Sequence, residues 1–173
     1  MAKAFEKAAW IWRQGEIGRD EFCDFLDTVC IPDEGKRYTL RIAADSNYTV
    51  WMNGEICAFG QYGDYPDYKV YDEVDITDHL RAGENRMVTV VWYYGIDSQT
   101  YKLGDAGLIY EIADEDGAVL TYTHAGTLSR KSRDYPKAYI REILPGRYLP
   151  HRRWQRHRAD HCGADPGALR RKH

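Results

Sequence analysis

Two short stretches of this chain gather side chains suited to holding a polar ligand. The first is the loop Gln61-Tyr62-Gly63-Asp64-Tyr65-Pro66-Asp67-Tyr68-Lys69, marked as a loop by its Gly and Pro and carrying three tyrosines. The second runs from Trp92, Tyr93 and Tyr94 to Ser98, at and beyond the end of an apolar run. A flat aromatic ring covers the apolar face of a pyranose, and a nearby Asp, Gln or Ser exchanges hydrogen bonds with its hydroxyls. Tyr62, Asp64, Tyr65, Tyr93 and Ser98 are therefore the candidate ligand-binding residues. The same aromatics are also the material of a β-core. Trp92 and Tyr94 are read that way, aimed by alternation at the face of the strand's buried valines or at a partner sheet.

Other chemistries find less support. Asp72, Asp75 and Asp78 offer hard oxygens, but not at the spacing of a calcium loop, and the first two point to opposite faces of a strand. Asp75 reads instead as a cap for the turn that follows it. His157-x-x-x-His161-Cys162 has the spacing of zinc ligands on a helix, yet it stands in a His-rich stretch without helical pattern. Cys57, in Glu55-Ile56-Cys57-Ala58-Phe59, reads as a small apolar residue and not as a nucleophile. No Ser-His-Asp arrangement and no Gly-rich phosphate loop is recognisable, and no cofactor is expected, with a structural calcium the one alternative that the aspartates leave open.

The elements that must position these residues are strands. Tyr38, Leu40 and Ile42 alternate with Thr39, Arg41 and Ala43; Asp45-Ser46-Asn47 breaks the run, and Tyr48, Val50 and Met52 resume it. Asn53-Gly54 supplies the left-handed dihedrals of a tight hairpin turn, with Glu55 to Phe59 as the return strand. Val70 to Ile76 alternates, Thr77 to Ala82 makes one helical turn, and Gly83-Glu84-Asn85 turns the chain into a strand from Met87 to Tyr94. Gly107–Ala113 and Ala118–Thr123 form a further hairpin. Ala8 to Arg13 places Trp10 and Trp12 on the same side of a strand. Glu21 to Pro32 is ambiguous, since Phe22, Phe25, Leu26 and Val29 fit a helical stripe while Phe25, Val29 and Ile31 fit a strand interrupted by Asp27. Seven or eight short strands with turn signals at this spacing predict an all-β, antiparallel β-sandwich or jelly roll.

The 173 residues suffice for one domain, or for one domain with a tail. Residues 1–144 carry 16 Lys/Arg against 25 Asp/Glu, and residues 145–173 carry 8 against 2. The body is acidic, which argues against nucleic-acid binding by its surface. The expected division is a sandwich over 1–144 and a basic tail over 145–173 that is disordered or a truncation or frameshift remnant. Four cysteines without a CxxC pair, and the lack of an apolar run long enough for a signal or a membrane span, lead to the expectation of a cytoplasmic protein.

The order of strand, Asn53-Gly54 turn, strand, Asp75-Ile76-Thr77-Asp78-His79-Leu80, Gly83-Glu84-Asn85 and strand resembles the galactose-binding-like β-sandwich of large glycoside hydrolases. Together with Trp10-Ile11-Trp12 it is similar to the N-terminal domain of bacterial α-L-rhamnosidases, over about residues 8–123. The resemblance settles Glu21 to Pro32 as the first long strand of the sandwich. It also implies an accessory role. Glycoside hydrolysis needs two carboxylates across the scissile bond, and in that family they lie on a separate (α/α)₆ barrel to which no part of this chain is similar. The expectation is a non-catalytic accessory or carbohydrate-recognition domain. Its expected partners are a rhamnose-containing or other saccharide, a catalytic glycosidase domain, or a second copy of itself. A stand-alone carbohydrate-binding module and a structural or oligomerisation domain without sugar binding stay open.

Overall fold

The computed structural model describes residues 5–32, 35–60 and 63–135. All of these fall in the first of two compact units, Met1–Ile140; the second, Arg141–His173, lies outside the described residues. So do Tyr62, the basic tail with its boundary at residue 144, and the His157/His161/Cys162 group.

Among the described residues nine strands follow in order: β1 (Glu21–Ile31), β2 (Tyr38–Asp45), β3 (Asn47–Met52), β4 (Glu55–Gly60), β5 (Asp72–Asp75), β6 (Gly83–Tyr93), β7 (Gly107–Asp114), β8 (Val119–Tyr122) and β9 (Leu128–Lys131). They form two antiparallel sheets, one ordered β4-β3-β6-β1-β9 and one ordered β5-β2-β7-β8. Among the described residues the only helical piece is a 3-10 turn at Thr77–His79. The described residues form an antiparallel β-sandwich.

The ambiguity over Glu21–Pro32 resolves as a strand for a reason visible in its neighbours. Cys23, Phe25, Val29 and Ile31 face the core, where period-2 alternation puts them. The interruption, Asp27, lies on the same inward side. It accepts hydrogen bonds from the Tyr110 hydroxyl of β7 at 2.7 Å and from Thr121 of β8 at 2.6 Å. The acid in the apolar run is thus a polar tie between the two sheets. Burial, then the Asp27 carboxylate, holds the Tyr110 phenol well above its ordinary range.

The two motifs that signal the fold in sequence meet in space. Asn53 (φ 54°) and Gly54 (φ 91°) make the β3–β4 turn, as a hairpin with two positive φ angles demands. The Asn53 side-chain amide donates to the Asn85 side chain at 2.8 Å and to the His79 carbonyl at 3.0 Å. Asn85, fully buried, also accepts from the Arg81 N–H at 3.0 Å and donates to the carbonyls of Arg81 and Gly83 at 2.7 and 3.0 Å. Every hydrogen-bonding position of a buried amide is therefore used, which is the condition for burying one without loss.

Four expectations need correction. Residues 8–13 are not a regular strand; Ile11 makes a single bridge to Leu108, and the arm is held instead by Glu111, whose carboxylate accepts the backbone N–H groups of Glu6 (3.0 Å), Lys7 and Ala8 (2.7 Å). Gly83-Glu84-Asn85 opens β6 and is not a turn before it, because these residues pair with Val29 to Ile31 of β1. The strand around residue 74 is shorter, β5 covering only Asp72–Asp75. Trp92 lies on the outer side of β6 with half-buried Val88 and Val90, opposite in parity to buried Met87, Thr89 and Val91. Its ring stacks on Phe22 at 5.9 Å and its N–H donates to Asp20 at 2.9 Å. β9 is an addition that no apolar alternation announces, since Leu128-Ser129-Arg130-Lys131 is exposed throughout.

Candidate functional site

One end of the sandwich collects the ends of β2, β4 and β6 and the starts of β1, β3, β5 and β7. The two loops singled out in the sequence both spring from it. Asp45, the last residue of β2, is fully buried there. Its carboxylate accepts from Lys69 Nζ at 2.6 Å, from the Ser46 hydroxyl at 3.1 Å and from the Tyr101 hydroxyl. Lys69 also donates to Asp64 at 2.7 Å, and the other Asp64 oxygen takes the Val70 N–H at 3.2 Å. Lys69 belongs to the first loop and Tyr101 to the second, so one buried acid ties both loops to the sheet. Burial by itself would push the Lys69 ammonium down, but its bonds to Asp45 and Asp64 outweigh this and hold it above the ordinary lysine value. Burial and the bond to Asp45 push the Tyr101 phenol up.

The candidate residues from the sequence take distinct places around this tie. Asp64 is the second anchor of Lys69. Tyr93 donates its hydroxyl to the Gly104 carbonyl at 2.9 Å; burial, then the nearby charges of Asp45 and Asp105, raises its phenol. The Ser98 hydroxyl accepts the N–H groups of Tyr101 (3.1 Å) and Thr100 (3.3 Å). These three hold loop backbone in place. Tyr65 is 66% exposed and Tyr68 79% exposed. They close a turn through the bond from Tyr68 N–H to the Tyr65 carbonyl at 3.0 Å. Tyr94 packs edge-on against Tyr101 at 5.3 Å.

Beside the first loop, between the edge strands β4 and β5, runs a groove of about 440 Å³. Phe59, Asp64, Val70, Asp72 and Glu73 line it. Phe59 turns its ring to solvent. Asp72 accepts the Tyr48 hydroxyl at 2.5 Å, and Glu73 accepts Arg41 at 2.7 Å, so each keeps lone pairs for another donor. Gly60 is what allows Asp72 and Tyr48 to meet, because a Cβ there would sit 2.8 Å from the Asp72 carboxylate. The groove thus offers one aromatic surface and three carboxylates. Phe59, Asp72 and Glu73 escape a reading by loops, because all three lie on strands. The signal available was a large aromatic on a short strand just before a glycine.

Asp75 accepts the N–H of Thr77 at 3.0 Å and its hydroxyl at 2.6 Å, the capping role read from sequence. Those bonds, the hydroxyl first, hold its carboxyl below the usual range. Among the described residues no group of three or more His, Cys, Asp or Glu is placed to hold a metal ion. Cys57 is half-buried, and burial pushes its thiol up to about 11, away from nucleophilic character. No helix among the described residues is long and apolar enough to cross a membrane.

No protein-family model matches the chain. A curated β-galactosidase of Leuconostoc mesenteroides is 33% identical over 67 residues, 39% of this chain and 6% of that enzyme. The GH78 family rhamnosidase of Bacillus sp. GL1 superimposes with a TM-score of 0.68 at 32% identity, over 73% of this chain and 13% of that one. A lectin of Pleurotus ostreatus, in its apo form, shares the fold with a TM-score of 0.51 at 24% identity, over 72% of this chain and 35% of the lectin. The chain spans only a small part of either enzyme. Over about three-quarters of its length it is similar to a domain of GH78 α-L-rhamnosidases.

Proposed function

We propose that this chain is a non-catalytic accessory domain of a rhamnosidase-like glycoside hydrolase, and that it recognises a neutral saccharide in the groove beside the 63–71 loop. The observation that carries the proposal is the groove itself: the exposed Phe59 ring faces the same space as Asp64, Asp72 and Glu73. A pyranose presents an apolar face of C–H groups and a rim of hydroxyl donors. An aromatic ring with carboxylate acceptors matches both. Tyr65 and Tyr68 are exposed on the same loop as Asp64. Three acids against two paired cations, Lys69 and Arg41, leave the groove net negative, which favours neutral sugars over uronic acids or phosphates. The likeness to a rhamnosidase domain puts L-rhamnose first among the sugars to try.

The test is a titration of the isotopically labelled full chain with L-rhamnose, other neutral monosaccharides and glucuronate, followed by NMR. Saturable shifts at Phe59, Asp64, Tyr65 and Asp72 with a neutral sugar are expected, with glucuronate the weaker ligand. Phe59→Ala should abolish them and leave the fold intact. A folded sample that shifts with none of the sugars ends the saccharide reading.

A further inference from the structure

The outer face of the five-stranded sheet is built differently from the outer face of its partner. On the four-stranded sheet β2 and β5 place the ion pair Arg41–Glu73 outward, the polar outside of a solvated sheet. On the five-stranded sheet the middle of the outer face is apolar, with charged residues only towards its two ends. Leu26, Trp51, Val88, Val90 and Leu128 come from four different strands onto one surface, with Leu26 40% and Leu128 65% exposed. They line two grooves of about 540 and 550 Å³ that share Trp51 and Val88.

The charges flanking this surface are distributed by end. Arg81, Glu84 and Arg86 stand at one end of the paired grooves, Asp24, Arg130 and Asp134 at the other. One end carries a net positive charge and the other a net negative one. A two-fold axis lying in the contact plane and crossing the strands sets the Arg86 end of one copy on the Asp24 end of the next. That is the self-complementarity an isologous dimer requires. The five strands, about 4.8 Å apart, contribute six residues or more except β9, which has four; at about 3.3 Å per residue this gives a face of roughly 450 Å² in projection, the scale of a weak, concentration-dependent contact. The geometry points to a second copy of this chain as the occupant of this face, the two five-stranded sheets packing against each other. This goes beyond the saccharide groove and does not depend on it, since that groove lies between β4 and β5.

Sedimentation equilibrium of the full chain tests it. The mass should rise from 20.1 kDa towards twice that value as concentration goes from about 1 to about 200 µM. Leu26→Asp, on the exposed face, should return the chain to a monomer across that range with its circular dichroism unchanged. Arg86→Glu, a milder change that keeps the apolar surface, should weaken the dimer about tenfold or more, and added salt should weaken the unaltered dimer. A mass of 20.1 kDa at every concentration, the outcome if a different protein is the natural occupant, overturns the inference. A dimer indifferent to both substitutions overturns it equally.

Discussion

Replacing Lys69 with Met isolates the tie that organises the loop end. Asp45 is fully buried, and its only cationic partner among the described residues is the Lys69 ammonium at 2.6 Å. Lys69 is itself largely buried and makes a second bond to Asp64 at 2.7 Å. Methionine keeps the length of the stem and removes the charge. Taking one partner from a buried ion pair leaves the other without compensation, at a cost of about 3–5 kcal/mol. For a domain of this size that is a fall in melting temperature of roughly 10 °C. Adding Asp45→Asn should restore about half of the loss, since the buried charge is then gone as well. Urea denaturation of the wild type, both single variants and the double variant gives the coupling directly. The pH dependence supplies a second check. The folded Lys69 value is raised, so the stabilisation is fully present below the ordinary lysine value of 10.5 and is lost as pH rises through the folded value. Wild type and Lys69→Met should therefore converge in strong alkali, where the ammonium is lost. A loss below about 1 kcal/mol, or additive effects of the two substitutions, would falsify the account of Asp45 as the anchor of both loops.

Two further outcomes follow from the same kind of accounting. Tyr110→Phe removes the hydroxyl that donates to Asp27 between the sheets but leaves Thr121 bonded to the same oxygen; it should cost about 1.5–3 kcal/mol, the range for a hydrogen bond to a charged group, and thermal melting measures it. Glu111 holds the N-terminal arm through three backbone N–H groups; burial raises its carboxyl, but these bonds outweigh that and bring it below the ordinary value of 4.5. Its contribution is present above that value and lost as pH falls through the lower folded value. Protection against hydrogen exchange at residues 6–9, taken relative to the intrinsic rate at each pH, should therefore fall in acid before the core opens, and Glu111→Gln should produce the same release at neutral pH.

Much of the sandwich was legible because β-structure advertises itself through parity. Tyr38, Leu40 and Ile42 put one face of β2 in the core, and Asn53-Gly54 fixes the β3–β4 turn by its dihedral demands alone. The β1 segment was harder, because a buried acid in an apolar run imitates a helical stripe until its partners Tyr110 and Thr121, on two other strands, are seen. β9 was illegible for a different reason. An exposed edge strand with Ser, Arg and Lys has no buried side to alternate, and it exists because the backbone of β1 offers it a free edge to pair with. Trp92 shows the limit of parity within a correct strand. Alternation says which residues share a face, but it does not say which face meets the core, and β6 carries valines on both.

The site residues pose the sharper question, because binding a ligand and tying a loop draw on the same side chains. Asp64, Tyr93 and Ser98 stand where a sugar-binding reading wants acceptors and donors, yet each already serves a neighbour: Lys69, the Gly104 carbonyl and the Tyr101 N–H. What separates the two uses is where the partner lies and how deeply it is buried. For Asp45 the partners are Lys69, 24 residues on, and Tyr101, 56 residues on, distances over which a local pattern carries no information. The loop end therefore divides its labour. Asp45 and the residues around it hold two loops still, and the carboxylates with spare lone pairs, Asp72 and Glu73, stand on strands beside the exposed Phe59. A rigid loop next to an open acidic groove loses little conformational entropy when a small ligand arrives. The substitutions that should disturb sugar binding most with least effect on folding are accordingly those of Phe59 and Glu73 in the groove, and those that should disturb folding most are at Asp45 and Lys69.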